Sequence, residues 1–251
     1  MNRKKMGVFR LVPAVWAALL LAGCAGVAPV ETGDLKPVPA AEKSAEPGWW
    51  YARFRMKWPP DAEPAWYLDV LLAHRVVSPV LHRHQKDILL WRFHRRAARD
   101  VSGHQFSFIF YASREKARQI YHGLQSSALL QAMQAGGTII EAVYDDLRTL
   151  ARPQIQDTSD RNWSSPIQKT WPFFIMGVSQ MWLNLIEEIA GPTPEDEAHP
   201  PPAQLEAFYR QVQTTLIATW QTEGRHAFLH HLNALFGYEP VIVYEKRFMR
   251  F

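Results

Sequence analysis

The sequence predicts an α+β fold. An antiparallel sheet opens with a strand-helix-strand-strand-helix succession and carries a large helical insertion and a C-terminal strand. Three observations lead there. Residues 49–58 and 88–98 each alternate apolar and polar side chains with period two, the mark of a half-buried strand. The turn Asp100-Val101-Ser102-Gly103 joins the second run to another alternating stretch at 104–111, which makes a hairpin. Residues 64–82 and 113–134 instead repeat with the period of a helix.

In the first strand Trp50, Ala52, Phe54, Met56 and Trp58 share one side, with Tyr51, Arg53, Arg55 and Lys57 on the other; Pro59-Pro60 stops it. The helix over 64–82 starts near Pro64, shows Trp66, Val70, Leu71, Val77 and Leu81 as a stripe, and is kinked or shortened by Pro79. In 88–98, Leu89, Trp91 and Phe93 oppose Leu90, Arg92, His94 and Arg96, and in 104–111 Phe106, Phe108 and Phe110 point inward. Ser113 caps the next helix, which Gly136-Gly137 ends. Further helices are expected over 139–150, over 170–189 from Thr170-Trp171-Pro172, and over 203–222 and 225–236. The 170–189 helix is apolar on nearly every side and reads as central to the core. A last strand covers 241–248. The first five elements follow a split β-α-β order, the ferredoxin-like start. The terminal strand is expected to close that sheet around a helical insertion at 138–237. A single domain over 48–251 is the preferred division. A sandwich half with a separate helical domain is the other.

The N-terminus speaks of destination. Residues 1–10 carry Arg3, Lys4, Lys5 and Arg10 with no acid, 11–21 are apolar, and Leu21-Ala22-Gly23-Cys24 closes the segment. A charged start, a short apolar run and small residues make a secretory signal, too short to span a bilayer. This leader resembles that of bacterial lipoproteins, whose lipobox of Leu, two small residues and Cys matches at 21–24. The resemblance implies cleavage before Cys24, acylation of Cys24, and, with Ala25 following, sorting to the outer membrane. Residues 24–47, with Pro29, Pro37, Pro39 and Pro47, read as a tether. Loss of the leader takes Lys+Arg from 28 to 24 against 24 acids, so the formal charge falls from +4 to zero. A nucleic-acid partner, which needs a basic domain, is not expected. Cys24 is the only cysteine, so the fold holds without disulfides.

The sheet's polar side supplies the candidate site. Arg53, Arg55, Arg92, His94 and Arg96 would share one face, and guanidinium forks suit carboxylates and phosphates. The plainer reading is a solvated face, or one paired with acids such as Asp145, Asp146, Glu187 or Glu188. His226 and His230, four apart after Glu223, have the spacing of a zinc-binding helix, with no third ligand indicated. Ser113-Arg114-Glu115-Lys116 has the Ser-x-x-Lys spacing of serine β-lactamases without their other motifs, and reads more simply as a helix cap. Most tryptophans fall on apolar faces; Trp49 and Trp163 are the two expected at the surface.

Trp50-Tyr51-Ala52-Arg53, Asp69-Val70-Leu71-Leu72, Val77-Ser78-Pro79-Val80, Trp91-Arg92-Phe93 and His104-Gln105-Phe106 are similar, in order, to the C-terminal elimination domain of lantibiotic dehydratases. That resemblance implies an α+β fold with an Arg/His face. The expected protein is a periplasm-facing lipoprotein without cofactor, anchored in the outer membrane by Cys24. Its domain would bind an envelope component non-catalytically: a protein partner, or an anionic glycan or lipid. The alternatives are an envelope hydrolase or transferase with a His-based or metal site, and a structural subunit marked by an apolar patch around Phe173, Phe174 and Trp182.

Overall fold

The computed structural model describes residues 46–191 and 202–240. The expected leader, Cys24, the expected tether up to residue 45 and the strand expected over 241–248 lie outside them. The strands β1 (Gly48–Met56), β2 (Leu90–Ala97), β3 (His104–Ala112) and β4 (Ile139–Tyr144) form one antiparallel sheet in the order β2-β3-β1-β4. With helices after β1 and after β3, this is the split β-α-β-β-α-β arrangement. The α+β class expected from the alternation therefore holds.

The fourth strand is not the expected one. Residues 139–144, read as helix, pair with the free side of β1, Arg53 opposite Val143 and Arg55 opposite Glu141. Ile139, Ile140 and Val143 are β-branched and suit a pleat. Six residues are too few for periodicity to choose between helix and strand, so the open edge of β1 decides. Among the described residues, the helices expected as an insertion follow a completed sheet.

Helix α1 (Trp66–Leu71) continues through a π-helical turn (Leu72–Val77) into α2 (Ser78–His84). Pro79, in the first turn of α2, has no N–H to give the preceding turn, and the wider turn takes up the misfit. The 113–134 helix is two: α3 (Arg114–Gln125), capped by Ser113, whose Oγ accepts from Lys116 N, and α4 (Ala128–Ala135), capped likewise by Ser127. Phe54, Phe106, Phe108 and Phe110 meet Val70, Leu72, Val77, Ile120 and Leu124 of these helices in the main core. At the β2–β3 turn Asp100 Oδ1 accepts from Ser102 N and Gly103 N, and Gly103 takes φ +59°.

Helix α5 (Ser165–Ala190) begins earlier than expected and carries Pro172 in its interior. Proline cannot bond the carbonyl four residues back, that of Gln168. Ser159 Oγ donates to that oxygen at 2.7 Å instead. α5 joins the main core along one face only, through Leu183 and Ile186, rather than being buried on every side. It lies against β2, an edge strand, where Phe93 N donates to Ser179 Oγ at 3.1 Å. Ser179, Leu183 and Ile186 face inward, while Phe173 and Phe174 stay about half exposed. Helix α6 (Pro202–Gly224) packs on α1, with Tyr209 OH 2.8 Å from His74 Nδ1. A π-helical turn (Arg225–His230) and α7 (His231–Leu235) follow. No helix among the described residues is long and apolar enough to cross a membrane.

Candidate functional site: a tryptophan-walled groove at the sheet edge

The register puts all five expected residues on one face of the sheet. Across β2, β3, β1 and β4 the rows read Arg92, Ile109, Tyr51; His94, Ser107, Arg53, Val143; and Arg96, Gln105, Arg55, Glu141. Trp49, Leu90, Ile109 and Tyr111 form a small second core at one end of this face, sealed by Ile155 and Met176. Trp49, expected at the surface, is fully buried there, its Nε1 donating to Ile155 O at 2.8 Å. Trp163 is exposed as expected.

The five residues separate by partner. Arg53 reaches Asp145 Oδ1 at 2.6 Å, and Asp145 also takes Arg152 and Tyr51 N. Arg55 pairs with Glu141 at 2.9 Å and Arg96 with Asp100 at 2.6 Å. Those three cations are neutralised across the sheet or along the strand. Arg92 has no carboxylate in salt-bridge reach among the described residues. It is 9% exposed, lies over the Trp171 ring at 5.0 Å, and its Nε has no hydrogen-bond partner. Burial pulls its guanidinium below its ordinary value, and the Tyr51 hydroxyl beside it only partly offsets this. His94 is open to solvent as a whole, yet packing around its ring, followed by the charges of Arg92 and Arg96, holds it below its ordinary value of 6.5.

Arg92 and His94 lie in a groove of about 690 Å³ between β2 and α5. Trp163, Trp171, Trp182 and Trp220 wall it, with Ile175 and Val178 between them. Thr158 also lines it, and its Oγ1 is buried without a partner. Arg92, a cation with an unpartnered Nε, and the unpartnered Thr158 Oγ1 in an aromatic cleft suit an anionic ligand with a flat or apolar body; Asp160 is the carboxylate among the groove's lining residues. The other hydroxyls of the groove are committed to backbone. Ser179 Oγ accepts from Phe93 N and donates to Ile175 O, and Ser159 Oγ holds the Gln168 carbonyl.

Arg95, passed over in the sequence, also lines the groove. It projects from the apolar side of β2 between the Trp66 and Trp182 rings. Its Nε donates to Asp69 Oδ2 at 2.8 Å, and its guanidinium also reaches Trp66 O and Gln213. Asp69 and His104 are wholly buried, with His104 Nε2 3.0 Å from Asp69 Oδ1 but off the hydrogen-bond direction. The signal was present in the sequence. An aspartate inside the α1 apolar stripe and an arginine at an apolar strand position each demand a partner.

The remaining polar sets are arranged differently. Ser78 donates to Glu187 Oε1 at 2.6 Å, and His82 Nε2 lies 3.6 Å from the same oxygen. The buried Ser78 thus gives its proton to the acid rather than to a histidine base. His226 and His230 stack with ring centroids 5.1 Å apart and planes 21° from parallel, which does not converge their lone pairs on one point. Among the described residues no group of three metal-ligating side chains could hold an ion. Ser113 serves as the α3 cap, and Lys116 pairs with Asp87.

Compared with known families, the chain matches no family model, and no curated protein matches it.

Proposed function

We propose that the chain is a lipoprotein of the bacterial outer membrane, held by acylated Cys24, whose folded domain binds an anionic envelope glycan or lipid headgroup without catalysis. The observation that carries the binding reading is Arg92: a buried guanidinium with no acid beside it, in a groove walled by four tryptophans. Aromatic faces stack on the apolar faces of sugars, and a desolvated guanidinium prefers phosphate or carboxylate. The leader supports the anchoring, since it joins a basic start, a short apolar run and the Leu21–Cys24 lipobox. Of the five arginine and histidine residues on the sheet face, Arg92 and His94 would touch the ligand. Arg53, Arg55 and Arg96 would serve the fold.

Tryptophan fluorescence tests the reading directly. A glucosamine disaccharide bearing phosphate should quench emission and bind, while its neutral counterpart should bind at least tenfold more weakly. Arg92→Ala should abolish that preference. Equal binding of the two sugars, or an unchanged preference in the variant, defeats the proposal. Intact mass of the membrane-extracted protein checks the anchor separately, by cleavage before Cys24 and the added mass of acyl chains.

A second reading has its own observation. Phe173, Phe174, Ile167 and Val178 are exposed on α5, the apolar surface expected of a structural subunit in an envelope assembly. In-cell crosslinking that recovers one protein in stoichiometric amount would favour it.

A further inference from the structure

The groove does not end at Arg95. A second cleft of about 240 Å³ opens between α5 and α6, and the two cavities share Arg95, Met181, Trp182 and Trp220 as lining. Their chemistry differs sharply. The groove side holds Arg92, His94 and Asp160, whereas the further cleft is bounded by Leu185, Leu216, Ile217 and Phe228, with Gln213, which is bonded to Arg95, as its polar residue beyond the shared lining. Arg95, whose charge is already met by buried Asp69, stands at the junction between the Trp66 and Trp182 rings. Such a neutralised arginine divides a polar compartment from an apolar one without drawing the anion to itself.

Resting on the anion-binding reading, we propose that the ligand is an anionic amphiphile. Its phosphate or carboxylate would sit at Arg92 and His94, and an alkyl chain would run past Trp182 and Trp220 into the α5–α6 cleft. Charge complementarity places the head and apolar burial places the chain. A free sugar phosphate would fill only the first compartment.

The probes are octyl phosphate, ethyl phosphate and octyl glucoside, titrated below their micellar concentrations. They are added to the mature chain from Cys24, made without its leader so that no acyl group competes. This chain contains every described element of the fold. Octyl phosphate should bind at least tenfold tighter than ethyl phosphate and tighter than octyl glucoside. Ile217→Trp, which fills the cleft from α6, should erase the advantage of the octyl chain and leave ethyl phosphate binding unchanged. Leu216→Met, which keeps the cleft apolar and similar in volume, should retain that advantage. Equal binding of octyl and ethyl phosphate overturns this inference while leaving the anion reading standing. Absence of binding by both phosphates overturns both. If octyl glucoside binds as well as octyl phosphate, the site is apolar alone and the amphiphile proposal fails.

Discussion

The two ends of one sheet face carry the same kind of side chain and use it oppositely. On the inner rows, Arg53 and Arg55 sit across from β4, which supplies Glu141 and leads directly into Asp145. At the β2 edge, Arg92 has Ile109 beside it on β3, and the helix covering that edge brings Trp171 and Ser179 to it while its Glu187 accepts from Ser78 instead. Alternation along a strand sets which face a residue takes. What the neighbouring element brings then decides whether its charge is spent on the fold or left for a ligand.

The contrast can be broken from the buried side first. Asp69→Asn removes a fully buried carboxylate and leaves the mostly buried Arg95 guanidinium without its charge partner, so urea unfolding should show a loss of about 3 kcal/mol. A loss below about 1 kcal/mol would mean that Arg95 swings out to solvent and is not the fixed partition drawn above.

Binding gives the next largest effect. Arg92→Ala should weaken the phosphorylated sugar at least tenfold, about 1.4 kcal/mol, while Arg53→Ala and Arg96→Ala change it less than twofold. Equal losses in all three would erase the distinction between the two ends. The pH dependence sharpens it. Because His94 is held below its ordinary 6.5, it is neutral at pH 7 and resists protonation as the pH falls. The unfolded chain takes up that proton first, so His94 makes the free domain less stable in acid. A bound anion favours the protonated ring, so affinity should rise as the pH falls through the range in which His94 takes up its proton in the complex. His94→Gln should flatten that rise in a titration calorimeter.

Two smaller effects concern the frame. Ser159→Ala removes the donor that holds the Gln168 carbonyl freed by Pro172, and thermal unfolding should register a loss of about 1 kcal/mol. Arg55→Ala removes a half-exposed pair with Glu141 and should cost under about 1 kcal/mol, shrinking further in high salt.

Strands β1, β2 and β3, the turn at Asp100 and the Ser113 cap were legible because each rests on local chemistry: alternation, a side chain folding onto its own backbone, a hydroxyl meeting a helix N-terminus. β4 was not, since its six residues satisfy either period and only the open side of β1 selects the strand. α5 misled for a related reason. An all-round apolar helix suggests the centre of a core, yet this one covers a sheet edge and leaves Phe173 and Phe174 in solvent. The site was half visible. Arg92 and His94 stood on the correct face, and Arg96 meets Asp100 only 4 positions on, but Asp145 lies 92 positions from Arg53 and Glu141 is nearly as remote from Arg55, so local pattern could not pair them.

By itself the sequence determined the α+β class, the hairpin, the shared face of five basic residues and the even charge balance of residues 24–251. These follow from periodicity and composition, which act over a few residues at a time. Tertiary structure alone decided which strand closes the sheet, which arginines find acids, and that four tryptophans scattered between positions 163 and 220 wall one groove. Such choices depend on which element packs beside which, and the free energy of that packing belongs to no single segment.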